Sequence, residues 1–130
     1  MAKTETDPRK ALQLLELSAA SECRESMREL GIIYERGTNG EGQKVVEVDL
    51  DRAHELYLKA AELGDSLAKN YLGSFYYNHT HEYEKAVNCF RQASECDRAL
   101  NNLGLCFEQG LGKTVQDYNQ AIKLYEMSAD

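Results

Sequence analysis

Two histidines flank a threonine in His79-Thr80-His81, with Glu82 and Glu84 close behind. Imidazole and carboxylate together can hold a metal ion where a loop folds around it. Two loop histidines without a fixed framework are ordinarily solvated polar groups, and His54, in a helical stretch, reads as a surface or flanking residue. Gly110-Leu111-Gly112-Lys113-Thr114 has the look of the end of a phosphate-binding loop. That motif needs a glycine where Phe107 stands and a strand ahead of it, and here a helix precedes. The glycines are better read as a turn between two helices, supplying positive φ. Asn78-His79-Thr80 is a formal N-glycosylation acceptor, meaningful only in a secretory lumen. Cys23, Cys89, Cys96 and Cys106 show no CxxC spacing and are expected as reduced, mostly buried thiols. No Ser/His/Asp or Cys/His arrangement can be argued, because the histidines share no repeated face with a nucleophile. The expectation is therefore no catalytic residue, no metal and no cofactor.

The elements that would carry these residues are helices. Of the 130 residues 42% are apolar and 28% charged, which suits a folded chain rather than a disordered one. A single proline and stretches rich in Ala, Leu, Glu and Lys favour an all-α class. The formal charge of −7 opposes binding to nucleic acid, whose affinity rests on clustered Lys and Arg. No window has the apolar length of a membrane span, and Met1 to Arg9 lacks a signal-peptide core, so neither membrane insertion nor secretion is expected. A cytoplasmic location follows as the expectation.

Self-similarity is the strongest signal. A Leu-Gly pair with an aromatic three residues on occurs as Leu30-Gly31 with Tyr34, Leu72-Gly73 with Tyr76, and Leu103-Gly104 with Phe107. A small residue, Ser26, Ala68 or Ala99, stands five places before each glycine. Downstream, an Ala is followed by an aromatic at four and a small residue at seven: Ala53, Tyr57, Ala60; Ala86, Phe90, Ala93; Ala121, Tyr125, Ser128. These offsets fall on one helical face. The opening stretch Ala11, Leu15, Ser18 repeats the second pattern, with Leu in the aromatic place. The spacing predicts a helix over about 8–20, then pairs 24–36 with 50–63, 66–77 with 82–95, and 98–109 with 117–129. Pro8 suits a first turn with Asp7 as its N-cap, and Asp49 and Asp117 can cap second helices. Gly31, Gly73 and Gly104 sacrifice about 1 kcal/mol of helix propensity each, which implies that a partner helix approaches closely there. Isolated helix pairs bury too little surface, so neighbours must stack into a solenoid.

With these residues in hand, the pattern resembles the Sel1-like repeat family, a relative of the tetratricopeptide repeat. The fullest match is Ala99, Leu103-Gly104, Phe107, Gly110-Leu111-Gly112, Val115, Asp117, Ala121 and Tyr125. Gly31 to Ala53 is 22 residues and Gly104 to Ala121 is 17, longer than a tetratricopeptide turn, whereas Gly73 to Ala86 is 13. The resemblance implies a right-handed α/α superhelical solenoid: one array over 1–130, with a half-repeat at 8–20 and repeats at 24–63, 66–95 and 98–129. The regular cysteine pair of secreted bacterial members is absent. The last helix, with Met127 and Ala129, lacks a cap, as in a fragment of a longer array or an end covered by a partner.

By the same resemblance, the first helix of each repeat lines a concave face, which would present Arg28, Ile32 and Glu35, then Asn70, Ser74 and Tyr77, then Asn101, Leu105 and Glu108. Asn70 and Asn101 are expected to be exposed and able to bond a peptide backbone; Ile32 and Leu105 either touch a partner or pack between repeats. Gly37 to Lys44 reads as a loop of tolerated length or a contact site, the former preferred. The function expected is a non-catalytic scaffold or adaptor for a protein or peptide within a larger complex. A structural spacer or an element self-associating through the terminal helix is the alternative, and metal or enzymatic chemistry at His79 and His81 ranks below both.

Overall fold

The computed structural model describes residues 7–93, 95–112 and 117–129. Met1, Lys113, Thr114 and Val115, named above, lie outside them. The described residues form seven α-helices: α1 Pro8–Ala20, α2 Arg24–Arg36, α3 Leu50–Glu62, α4 Ser66–Phe75, α5 Tyr83–Gln92, α6 Asp97–Gln109 and α7 Tyr118–Ala129. No described residue lies in a strand; Thr38 and Lys44 make one isolated antiparallel bridge. No described helix is long and apolar enough to cross a membrane. The chain divides into two compact units, residues 1–64 with α1 to α3 and residues 65–130 with α4 to α7.

Helix starts follow local chemistry. The carboxylates of Asp7, Asp49 and Asp117 accept from the backbone N–H groups of Arg9, Arg52 and Gln120, each satisfying a donor the helix leaves unpaired. Asp65, which the sequence reading did not single out, does the same for α4 through Leu67 N–H and is itself buried. Gly37 and Gly110 end α2 and α6 in the left-handed region at φ 75° and 67°, a conformation that costs other residues dearly.

The mid-helix glycines meet the aromatic rings of the paired helix. A Cβ on Gly31 would stand 2.7 Å from Cε1 of Tyr57; on Gly73, 2.6 Å from Cε1 of Phe90; on Gly104, 2.8 Å from Cε1 of Tyr125. Each second helix thus lays its ring where the first helix has no side chain, which confirms the close approach inferred from the sequence. Ala53, Ala60, Ala86 and Ala93, one turn to either side of Tyr57 and Phe90, are fully buried.

A second regularity closes every pair. The backbone carbonyl of the aromatic that follows Leu-Gly accepts from the N–H of the residue capping the next helix: Tyr34 from Asp49 at 2.9 Å, Tyr76 from Glu82 at 3.0 Å, Phe107 from Asp117 at 2.9 Å. Between those anchors the connections differ. In the first repeat, Asn39 Oδ1 accepts from the N–H groups of Glu41 and Gln43, folding the polar loop on itself. In the second, α4 continues into a π turn, Tyr76–Thr80, where the sequence predicted plain helix to 77. The wide turn spans the short connection by itself, and His81, at φ 56°, completes it. The predicted helix at 82–95 is likewise shorter: the Ala93 N–H bonds the carbonyls of both Cys89 and Phe90, tightening the chain just past Gln92.

In the first unit, Glu16 on α1 accepts from Arg52 of α3 at 2.9 Å and from the Tyr34 hydroxyl of α2 at 3.1 Å. The Arg52 guanidinium also lies 5.1 Å from the centre of the Tyr34 ring. In the second unit, the core gathers Ala86, Val87, Phe90, Leu100, Leu103, Cys106 and Leu124.

Gly73→Ala is expected to destabilise the chain by about 1–3 kcal/mol through overpacking against the buried Phe90 ring, despite the better helix propensity of Ala. Gly104→Ala should cost less, since Tyr125 is half-buried and its ring can yield. Gly40→Ala, with open space around it, should be close to neutral. Urea unfolding midpoints of the three variants check that order.

Candidate interaction surface

The groups with the most obvious chemistry do not converge. Among the described residues no group of three or more His, Cys, Asp or Glu is placed to hold a metal ion. The His79 ring packs 4.9 Å from the Phe75 ring, while His81 Nδ1 lies 3.2 Å from the Tyr83 hydroxyl. The Thr80 hydroxyl donates to the Tyr76 carbonyl within the π turn. All four cysteines are free thiols, but only Cys106 is buried; Cys23, Cys89 and Cys96 are half-buried, which corrects the expectation of mostly buried thiols. Burial pushes the Cys89 and Cys106 thiols up to about 11, so both are protonated at neutral pH and are poor nucleophiles.

Six of the nine residues expected on the face of the first helices fall into three situations. Two carboxylates are already engaged: Glu35 accepts from the Tyr57 hydroxyl at 2.6 Å and Glu108 from the Tyr125 hydroxyl at 3.1 Å, so each bonds the ring that locks its own repeat. Arg28 and Ile32 are half-buried on α2, Arg28 with its guanidinium 3.5 Å from Glu29. Asn101 is exposed on α6, and Leu105 retains 38% of its surface.

Asn70 departs from expectation. It is 3% exposed, and its Oδ1 accepts from Asn102 Nδ2 at 2.9 Å. Equivalence with Asn101 by repeat position placed it at the surface; the neighbouring α6 brings Asn102 over it instead, and a buried amide with a partner is a structural group.

Asn102 leads to the site that the geometry does assemble. Ser74, Tyr77 and Asn78 from α4 and its π turn, Phe90 from α5, and Asn102 and Leu105 from α6 line a cleft of ≈ 170 Å³. Three of the nine expected face residues, Ser74, Tyr77 and Leu105, meet there. The Tyr77 ring is held edge-on to Tyr83 with centroids 5.4 Å apart, and its hydroxyl donates to Gln109 at 2.9 Å. Phe90, Asn78 and Asn102 were missed from the sequence. A signal for the first was present: Phe90 stands where the other repeats have Tyr57 and Tyr125, and Tyr77 stands where they have Glu35 and Glu108.

The family model of the Sel1 repeat matches residues 2–22, 24–65, 66–97 and 97–130. The chain belongs to the Sel1 repeat family. It is 32% identical over 105 residues to the sel1-like repeat-containing protein L21 of Acanthamoeba polyphaga mimivirus, covering 81% of this chain and 18% of that protein. It is 36% identical over 118 residues to the F-box protein At1g70590 of Arabidopsis thaliana, covering 86% and 30%. A protective antigen of uropathogenic Escherichia coli displaying an SLR fold superposes with a TM-score of 0.82 at 32% identity, over 95% of this chain and 26% of the antigen. The chain thus spans less than a third of each of these Sel1 relatives. Sel1 repeats generally mediate protein–protein interaction and are typically non-catalytic.

Asn70→Ala is expected to lower stability by about 1–3 kcal/mol, because it removes a buried, hydrogen-bonded amide and leaves the half-buried Asn102 amide without that partner. Asn101→Ala should fall within about 0.5 kcal/mol of the parent, as ordinary surface substitutions do. Thermal unfolding of both decides between a structural and a presented Asn70; equal midpoints would refute the structural role.

Proposed function

We propose that this Sel1 repeat chain is a non-catalytic adaptor that binds a protein or peptide through the faces of its first helices, with residues 1–130 acting as one repeat array. In the first unit the face consists of Arg28, Ile32 and Glu35; in the second, of Ser74, Tyr77, Asn101, Leu105 and Glu108, without Asn70. The observation that carries the reading is the cleft between α4, α5 and α6, where expected face residues from two successive repeats meet around an aromatic floor. Half-buried apolar area edged by neutral amides suits an extended peptide, whose side chains need contact area and whose backbone needs donors and acceptors. Similar segments in proteins as different as an F-box protein and a bacterial antigen fit a module that supplies contact rather than chemistry.

A second reading, self-association through α7, is favoured by one observation: Tyr118 and Ile122, one turn apart on that helix, are 59% and 51% exposed. Light scattering of the parent and of Ile122→Glu measures it; a monomer at every concentration for both proteins removes the idea.

The adaptor reading is tested by selecting displayed random peptides on the immobilised chain. Enrichment of a sequence class is expected, with binding roughly tenfold weaker, equivalent to 1.4 kcal/mol, in Tyr77→Ala/Asn101→Ala at unchanged helicity. Failure to enrich any class, or equal binding by the variant, would count against it.

A further inference from the structure

The second repeat differs from its siblings at two positions that act together. In the first and third repeats the locking ring is a tyrosine, and its hydroxyl donates to the glutamate four residues after the mid-helix glycine: Tyr57 to Glu35, Tyr125 to Glu108. In the second repeat the ring is Phe90, which has no hydroxyl, and the partner position is Tyr77, whose own hydroxyl is turned to Gln109. Both members of this altered pair line the cleft of ≈ 170 Å³. The polar pair that occupies these positions in the other repeats is replaced by an apolar floor and a ring wall.

Size and charge restrict what fits. The volume lies below the range of roughly 300 Å³ and upward where sites for drug-sized ligands and cofactors begin, so the occupant is one side chain. None of the six lining residues carries a formal charge. A charged side chain entering here would lose hydration without gaining a counter-ion among the lining residues. An uncharged apolar side chain meets the half-buried Tyr77 ring and the flank of Leu105, with the Phe90 ring, 2% exposed, beneath them. The Asn102 amide is oriented by its bond to Asn70, and Asn78 also lines the cleft, so two amides are available to the backbone from which such a side chain would project.

We infer that the second repeat carries an anchor pocket, formed by the Phe90 and Tyr77 exchange, that takes a single uncharged apolar side chain of a bound peptide, of leucine, methionine or phenylalanine class. The inference rests on the adaptor reading and narrows it to one contact.

The test uses the full chain and the N-acetyl methylamides of Leu, Met, Phe, Lys and Glu, followed by ¹H–¹⁵N spectra of the Asn78 and Asn102 side-chain amides. Saturable shifts are expected with at least one of the three apolar derivatives and at least tenfold weaker ones with Lys and Glu. Tyr77→Glu/Phe90→Tyr restores the pair of the sibling repeats, and should abolish the shifts while keeping the thermal midpoint. Ser74→Leu fills the cleft from α4 without disturbing the Gly73 lock and should abolish them as well. Equal response to charged and apolar derivatives, no response to any, or shifts that persist in Ser74→Leu would overturn the pocket. Displayed peptides that enrich on the parent and bind both variants equally would overturn it too, while leaving the adaptor reading standing; absence of enriched peptides tells against the adaptor itself.

Discussion

A ring seated on a backbone that has no side chain beneath it organises each helix pair of this chain. Tyr57, Phe90 and Tyr125 occupy the space a Cβ would need on Gly31, Gly73 and Gly104. The glycine costs about 1 kcal/mol of helix propensity, whereas truncating a buried aromatic costs about 3–5 kcal/mol. The exchange favours the pair by a clear margin, and it fixes register, because a ring displaced by one turn would meet a side chain instead of a gap. Small residues then become obligatory on either side of the ring. Ala53 and Ala60 around Tyr57, and Ala86 and Ala93 around Phe90, are fully buried since any larger group there would lift the ring from its seat.

The same constraint explains why the connections are free to vary. Once ring and glycine set the distance between two helices, the chain needs only to return to the start of the second one, and the bond from the capping residue to the carbonyl of Tyr34, Tyr76 or Phe107 fixes where that is. A loop folded around Asn39 and a bare π turn both satisfy this condition. Added loop length costs little entropy, so spacings as different as 22 and 13 residues between glycine and alanine coexist in one chain.

What was legible in the sequence follows from this division. The lock demands particular residue types at offsets set by the helix, so Gly31 with Tyr57 and its two counterparts could be read from spacing, as could the caps at Asp7, Asp49 and Asp117. The π turn could not: Tyr76 to Thr80 continue a helical pattern, and only the shortage of residues before Ala86 forces the wider winding. Asn70 was misplaced because its environment is decided by Asn102, 32 residues further on and in another repeat. Position within a repeat reports which way a side chain leaves its helix; burial depends on what the next helix places above it. The cleft lay between these extremes, since the paired departure of Phe90 and Tyr77 from the other repeats was visible, but its meaning required the tyrosine–glutamate bonds of those repeats to be seen first.

Those bonds also show how a repeat can change its surface without endangering its interior. The hydroxyls of Tyr57 and Tyr125 lie at the edge of the lock and bond half-buried carboxylates, an arrangement worth on the order of 1 kcal/mol net. The rings beneath them carry several times that. Replacing tyrosine by phenylalanine at position 90 gives up only the smaller contribution, and replacing glutamate at position 77 in the same repeat avoids stranding a carboxylate whose donor has gone. The pair can therefore be exchanged as a unit at little cost to folding, and the exchange converts a satisfied polar contact into an apolar-floored cleft. In a chain whose repeats must share one packing rule, such edge positions are where one repeat can acquire a contact that the others lack.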